Sequence, residues 1–311
     1  KRAFPYNRLE PLHGLLTREG QFTDSALALS AAKATLTNLE AFIDETLSES
    51  HVRGFFFGNY EEAEVISTYE RMAKVVNASP SAGYARADVY DPQPGATYLL
   101  NRDVPVEDLG MLYAFAAPEA SVKNRALSRI LARHLRVRAF ETLRTEEQLG
   151  YAAGGGSLDL YQHPMVIFYI QTPVKGPQDM LDRFNQYTIE YREELADLSQ
   201  DSFEKFKAGV LTSLTEPPKN LSSEAGPFAS DWAIENYDFD SRDELITAVE
   251  SATLDDVRAF FDSTVFSEER SRLVIQLRGK RFADEAFATL DGGVVVDDID
   301  QFHDEMAVQA K

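Results

Sequence analysis

The sequence has no cysteine among its 311 residues. It therefore has neither a disulfide framework nor a thiolate for metal binding or nucleophilic attack, and the redox compartment stays open. Positive charge is also scarce: 31 Lys and Arg stand against 51 Asp and Glu, a formal net charge of −20. That balance argues against nucleic acid as a partner and against an anionic membrane surface. A generally acidic, solvated face accounts for the charge, and a field that recruits basic peptides is the alternative. Long apolar runs are missing as well. Phe55–Phe57 and Met165–Ile170 have strand length, far short of the roughly 20 residues of a bilayer span, so no membrane insertion is expected. The chain starts at Lys1 without an initiator Met or a signal-like stretch, and so reads as a piece of something longer. The five histidines are His13, His51, His134, His163 and His303, and no H-E-x-x-H or H-x-x-E-H arrangement exists. Zinc held by this chain alone is not expected. Each histidine reads as surface or structural, with His134 on the solvated side of a long helix.

What is present is a globular composition, 44% hydrophobic, compatible with one large domain or two smaller ones. A faint duplication runs through it. Thr35-Leu-Thr-Asn-Leu-Glu-Ala-Phe42 precedes a polar bend and the strand-like Val52–Gly58. Thr253-Leu-Asp-Asp-Val-Arg-Ala-Phe260 precedes a polar bend and the strand-like Leu273–Gly279, an offset of 218 residues. Both copies read as capped helix, loop, strand and glycine. Asp256 can reach back to Thr253, as Glu40 can to Thr37. Leu39, Phe42, Ile43 and Leu47 share one helical face, as do Val257, Phe260, Phe261 and Val265. The pattern suggests two copies of one domain, the first represented by its closing helices and strand.

Asn77 to Gly95 reads as the linker, rich in Asn, Ser, Pro and Gly. Strands follow near 96–102 and 109–117. A helix over about 123–143 carries an apolar ridge of Leu127, Leu131 and Leu135, widened by Ile130 and Phe140. Strands near 150–160 and 165–172 are joined by Tyr161-Gln-His-Pro164. Helices are expected at about 177–195, 199–214 and 221–237, then the second copy of the repeat, a short strand at Val294–Val296 and a docked helix or loose end to Lys311. Strands and long helices come in blocks, which predicts an α+β fold with an antiparallel or mixed sheet covered by long helices.

The richest patch is Phe140-Glu-Thr-Leu-Arg-Thr-Glu-Glu-Gln-Leu-Gly-Tyr151, where a helix ends, a polar turn follows and a strand starts. Arg144 and Tyr151 could converge on a carbonyl or carboxylate if the turn folds them together. Alternatively Arg144 pairs with Glu146, Glu147 or the helix-end carbonyls, and Tyr151 is a half-buried strand aromatic. Gly154-Gly155-Gly156 lacks phosphate-loop spacing and reads as strand or loop where a peptide or neighbouring backbone comes close.

The run 138–151 closely resembles the C-terminal-half signature of insulysin/pitrilysin peptidases (M16, the insulinase family), approximately F-x-x-L-R-T-x-E-Q-L-G-Y. Phe57-Gly-Asn-Tyr60, Glu216-Pro-Pro-Lys-Asn-Leu221, Trp232 and Tyr237-Asp-Phe239 look similar to other parts of that family, so the resemblance covers about residues 30 to 280. It implies one half of a clamshell zinc metalloendopeptidase, with residues 1–80 closing a third insulinase-like domain, 81–291 forming a fourth, and 292–311 a tail. The zinc, bound by an H-x-x-E-H motif, is expected in the missing N-terminal half, which is the partner together with peptide substrates, and no cofactor is expected in this chain. The resemblance assigns Arg144 and Tyr151 to the catalytic chamber and Phe140 to its apolar wall, with Gly154 and Gly155 on the continuing strand as substrate contacts. Ala152-Ala-Gly-Gly-Gly156 replaces bulkier apolar residues common in relatives, which implies a wider or looser pocket. This chain alone is expected to be inactive. A non-catalytic interaction or scaffold subunit is the other reading. An exported, periplasmic compartment is implied, with the cytoplasm as the alternative.

Overall fold

Leu109-Gly-Met-Leu-Tyr-Ala-Phe-Ala116 carries no polar side chain apart from a tyrosine hydroxyl, a pattern that suits a strand covered on both faces. The computed structural model, which describes residues 4–48, 50–77, 79, 89–90, 93–160 and 162–309, buries every residue of it. The helices are α1 (Tyr6–Thr17), α2 (Asp24–Lys33), α3 (Leu36–Ser48), α4 (Glu62–Val75), α5 (Val122–Ala139), α6 (Pro177–Ala196), α7 (Gln200–Thr215), α8 (Leu221–Ala233), α9 (Ser241–Ser251), α10 (Leu254–Val265) and α11 (Ile299–Gln309). The strands are β1 (Thr97–Asp103), β2 (Leu109–Ala116), β3 (Ala152–Leu160), β4 (His163–Thr172), β5 (Ser271–Arg278) and β6 (Val294–Val295). Two compact units share them. One comprises Lys1–Glu19, Val89–Glu216 and Arg242–Lys311; the other comprises Gly20–Asp88 and Pro217–Ser241.

In the first unit the strands form one mixed sheet in the order β3-β4-β2-β5-β1-β6. β1 runs parallel to β5 and β6, and the other pairs are antiparallel. The two-residue period of the strands divides the core. Met111, Tyr113, Phe115, Phe168 and Ile170 join Leu127, Ile130, Leu131 and Leu135 of α5 and the aromatic rows of α6 and α10. Leu112, Ala114, Ile167 and Ile275 face the other way, toward Leu9, Leu15 and Leu16 of α1. The expected α+β architecture with a mixed sheet and long helices is therefore the observed one.

α10 starts as its sequence requires. The Thr253 hydroxyl accepts from the Asp256 amide at 3.1 Å, and the Asp256 carboxylate accepts from the Thr253 amide at 3.1 Å. This capping box frees Val257, Phe260, Phe261 and Val265 to be buried together.

His13, His134 and His163 are buried, and of these His134 departs from its expected place. His134 lies inside the unit rather than on a solvated side, with Nδ1 2.9 Å from the Tyr191 hydroxyl. Its helix is apolar around a wider arc than the leucine ridge suggested. His13 of α1 is buried beside the Met165 sulfur at 3.2 Å. Burial, helped by Arg18, pushes its pKa down from 6.5 to about 4. Between those two values the unfolded chain binds a proton that the folded chain refuses. His13 thus favours the fold fully above about pH 6.5, and its contribution falls as the pH drops toward 4. The loss approaches about 3 kcal/mol. Urea midpoints measured at pH 7 and pH 5 are expected to differ less in His13→Leu than in the native sequence, and an equal difference would contradict this assignment.

The second unit holds α2, α3, α4 and α8. The first three contain no buried residue. The cap of α3 is Thr35, whose hydroxyl accepts from the Asn38 amide at 3.2 Å, rather than the Thr37–Glu40 pair expected from sequence. Leu39, Phe42 and Ile43 share a face as expected, yet all are exposed. The strand expected at Val52–Gly58 lies in no ladder among the described residues. Its rings pack locally instead: Phe55 lies 6.1 Å from Trp232, and Phe57 stacks 5.4 Å from Phe228. Arg53 completes the cluster, 4.8 Å over the Trp232 ring, with hydrogen bonds to Glu235 at 3.0 Å and the Tyr237 hydroxyl at 2.7 Å. Of the expected 77–95 linker, residues 78, 80–88, 91 and 92 lie outside the described residues, as does Tyr161 of the expected hairpin bend.

Candidate functional site

The long helix does not stop at Ala139. Phe140–Glu146 continues it as one turn of π-helix, closed by the Glu147 amide donating to the Thr142 carbonyl at 3.0 Å. A π-turn adds a residue to the helical circuit and re-aims the side chains beyond it, and such turns recur at functional sites. Leu143 still points into the core, fully buried, while Phe140 is 44% exposed and stands outside it. The expectation that Phe140 widens the buried ridge is therefore corrected: at about 3.6 residues per turn it falls roughly opposite Leu131 on the helix.

Arg144 lies between two rings, its guanidinium carbon 4.7 Å from the centre of Phe140 and 6.0 Å from that of Tyr151. Cation and ring faces attract through the ring quadrupole. Among the described residues no carboxylate pairs with Arg144, in a chain of net charge −20. Of its two sequence candidates, Glu147 is bound by Arg183 of α6, and Glu146 makes no ion pair with Arg144 among the described residues. Tyr151 is 86% exposed, so it is not a half-buried strand aromatic.

The turn from Glu147 to Gly150 is pinned from several sides. Gln148 sits at φ +53°, a left-handed conformation that a side chain adopts reluctantly. The Leu149 amide donates to the Leu143 carbonyl at 3.0 Å, and the Thr172 hydroxyl donates to the Leu149 carbonyl. A Cβ on Gly150 would lie 2.0 Å from the Gln171 carbonyl oxygen, so only glycine lets the chain pass this close to β4. The helix end is tied to α6 by Arg138, whose Nε and Nη2 reach Glu194 at 2.9 and 3.1 Å and whose Nη1 reaches Glu141 at 2.6 Å.

The glycines of β3 have reasons within the chain. A Cβ on Gly155 would lie 2.8 Å from Leu135, and one on Gly154 would lie 2.7 Å from the Tyr169 hydroxyl, whereas that of Gly156 would meet open space. Arg144, Tyr151 and Phe140 are thus gathered into one exposed cluster, with Gly154 and Gly155 farther along the strand, packed against their own neighbours. Among the described residues there is no group of three or more His, Asp or Glu that could hold a metal ion. No helix among them is long and apolar enough to cross a membrane.

Sequence reasoning missed Arg183 and Glu190, which converge on the turn from 36 and 43 residues beyond Glu147. No local pattern marks them. The only available signal was an arginine and a glutamate seven apart on one helical face, at positions 183 and 190.

Known proteins resemble this chain in sequence and fold. Residues 130–229 match the family described as PQQ synthase PqqF-like, C-terminal lobe domain 4. Protease 3 of Escherichia coli (strain K12) is 21% identical over 278 residues, 89% of this chain and 29% of that protein. Insulin-degrading enzyme of Homo sapiens is 22% identical over 254 residues, 79% of this chain and 25% of that protein. The crystal structure of pitrilysin superposes on 100% of this chain and 32% of its own, with a TM-score of 0.87 at 20% identity. The chain therefore spans about a quarter to a third of the length of each of these proteins. Its sheet and helices have the insulinase-like architecture, and the chain is homologous to the M16, insulinase-type peptidase superfamily.

Proposed function

We propose that this chain is the substrate-binding half of a zinc metalloendopeptidase that hydrolyses peptides inside a clamshell chamber, working with an N-terminal catalytic half. The observation that carries this reading is the Arg144 guanidinium, held between Phe140 and Tyr151 with no carboxylate partner among the described residues. An unneutralised cation beside an exposed phenol is suited to a group that arrives from outside. In this reading Tyr151 donates to the scissile carbonyl oxygen as charge develops on it. Arg144 holds a neighbouring peptide carbonyl, and Phe140 supplies an apolar wall. Gly154 and Gly155 lie on β3, an edge strand of the sheet, and would meet substrate through the backbone.

Zinc would supply polarisation of the carbonyl and activation of water. The described residues of this chain include no group of three or more His, Asp or Glu that could hold it, and in this reading the ion is bound in the N-terminal half. The domain boundaries at about residues 80 and 291 belong to the same proposal. Residues 1–80 would be the closing part of a domain whose remaining sheet is supplied by the other half. The exposed Leu39, Phe42 and Ile43 support that view. An exported, periplasmic compartment is proposed on the family resemblance alone.

The test is cleavage of a quenched fluorescent peptide by this chain with zinc, with and without the matching upstream half of its parent. Activity in the mixture and in neither half alone is the expected result. No activity despite demonstrated assembly and zinc loading would favour a non-catalytic scaffold subunit instead.

A further inference from the structure

We infer that Arg183 is the positioning residue of the candidate site: by holding Glu147 it keeps the turn in place and keeps Arg144 free for substrate. This rests on the reading of Arg144 and Tyr151 as substrate contacts.

Arg183 lies on α6, and its side chain is only 13% exposed. Its Nε donates to both oxygens of Glu147, at 3.2 and 2.9 Å, and its Nη2 donates to Glu147 and, at 2.8 Å, to Glu190. A guanidinium fork on a carboxylate fixes direction as well as distance. The fork is itself immobilised, since its carbon stands 5.7 Å over the ring of Tyr187. That ring is fully buried and packs edge-on to Phe168 of β4 at 5.9 Å. A line of contacts therefore runs from Phe168 of β4 to Glu147.

Glu147 is where such a hold has most leverage. It follows the π-turn that carries Arg144 and precedes Gln148 in its unfavourable left-handed conformation. Release of the carboxylate removes one of the contacts that pin this backbone. It also frees an acid three residues after an unpaired arginine, a spacing at which helical ion pairs form. Glu147 can thus satisfy Arg183 or capture Arg144, and the fork of Arg183 decides which.

Competition of this kind predicts a rescue that a bracing role would not give. In the enzyme reassembled from both halves, Arg183→Met is expected to lower kcat/KM at least 10-fold, because Glu147 then neutralises Arg144. Adding Glu147→Gln to Arg183→Met removes the competing charge and is expected to restore kcat/KM at least threefold. Arg183→Lys keeps the charge but loses the fork. It should show a smaller loss that Glu147→Gln again relieves, and it serves if Arg183→Met folds poorly. In the 311-residue chain, amide exchange over 147–151 should quicken about 10-fold in Arg183→Met while β2 stays protected.

A double variant no better than Arg183→Met would overturn the proposal, as would unchanged exchange at the turn. Arg144→Ala in the same assay separates the two readings. If Arg144→Ala costs activity and Arg183→Met does not, the positioning role fails alone. If Arg144→Ala costs nothing, the reading of the site itself fails, and the positioning role with it.

Discussion

Replacing Tyr151 by phenylalanine, in the enzyme assembled from both halves, is expected to lower kcat by about 10²-fold while KM stays within about twofold. The substitution removes one hydroxyl and leaves the ring against which Arg144 lies at 6.0 Å. Tyr151 is 86% exposed, so no core packing is lost and the urea midpoint should not move. A donor aimed at an oxygen that becomes charged in the transition state is worth more there than in the bound substrate, which is why the loss falls on turnover. Arg144→Ala should differ, raising KM and lowering kcat together, since its contact would be made before and during reaction. Steady-state kinetics on a quenched peptide would check both. An unchanged kcat in Tyr151→Phe would remove that residue from the mechanism.

The other large effect is structural, and it comes as a matched pair. Phe261→Ala is expected to destabilise the first unit by about 3–5 kcal/mol. The ring is fully buried, edge-on to Tyr191 at 5.2 Å and 5.9 Å from Phe266. Ile43 occupies the equivalent place in the internal repeat, 218 residues earlier, but is 43% exposed. Ile43→Ala in the 311-residue chain should therefore cost less than about 0.5 kcal/mol. In the reassembled enzyme, where the proposed domain is complete, the same change should cost about 2 kcal/mol or more, the usual penalty for truncating a buried isoleucine. Urea titration of each variant, alone and with the other half, would measure this. Equal costs for Ile43→Ala in both settings would count against the proposal that the other half covers this face.

The pair also shows how much of the fold could be read from sequence. Periodicity located α10 and α3 equally well, because each has its threonine cap and its apolar face. What it could not give was the burial of α3, since burial depends on what lies opposite and not on the helix itself. Val52–Gly58 failed for a related reason. A strand is defined by its neighbours' hydrogen bonds, and a sequence that suits one does not create them. The leucine ridge covers only part of the buried arc of α5, which also takes in Ser128, Ala132 and His134.

At the candidate site, the pairing of Arg144 with Tyr151 was legible because both residues fall within one twelve-residue run. The choice between a free and a paired Arg144 was not. It turns on Arg183, which α6 delivers from far along the chain, and on a π-turn that ordinary helical spacing does not announce.

The chain contains a single tryptophan, and Trp232 belongs to the second unit, between Phe55 and the Arg53 guanidinium. Tyr113, Tyr187 and Tyr191 are buried in the first unit. The indole is thus confined to the second unit, and these fully buried tyrosines to the first. Indole emission excited at the red edge reports on the second unit, and near-ultraviolet dichroism of the buried tyrosines reports largely on the first. Melting curves recorded by the two signals would coincide if the units unfold together and separate if each has its own transition, with no label or fusion needed to tell them apart.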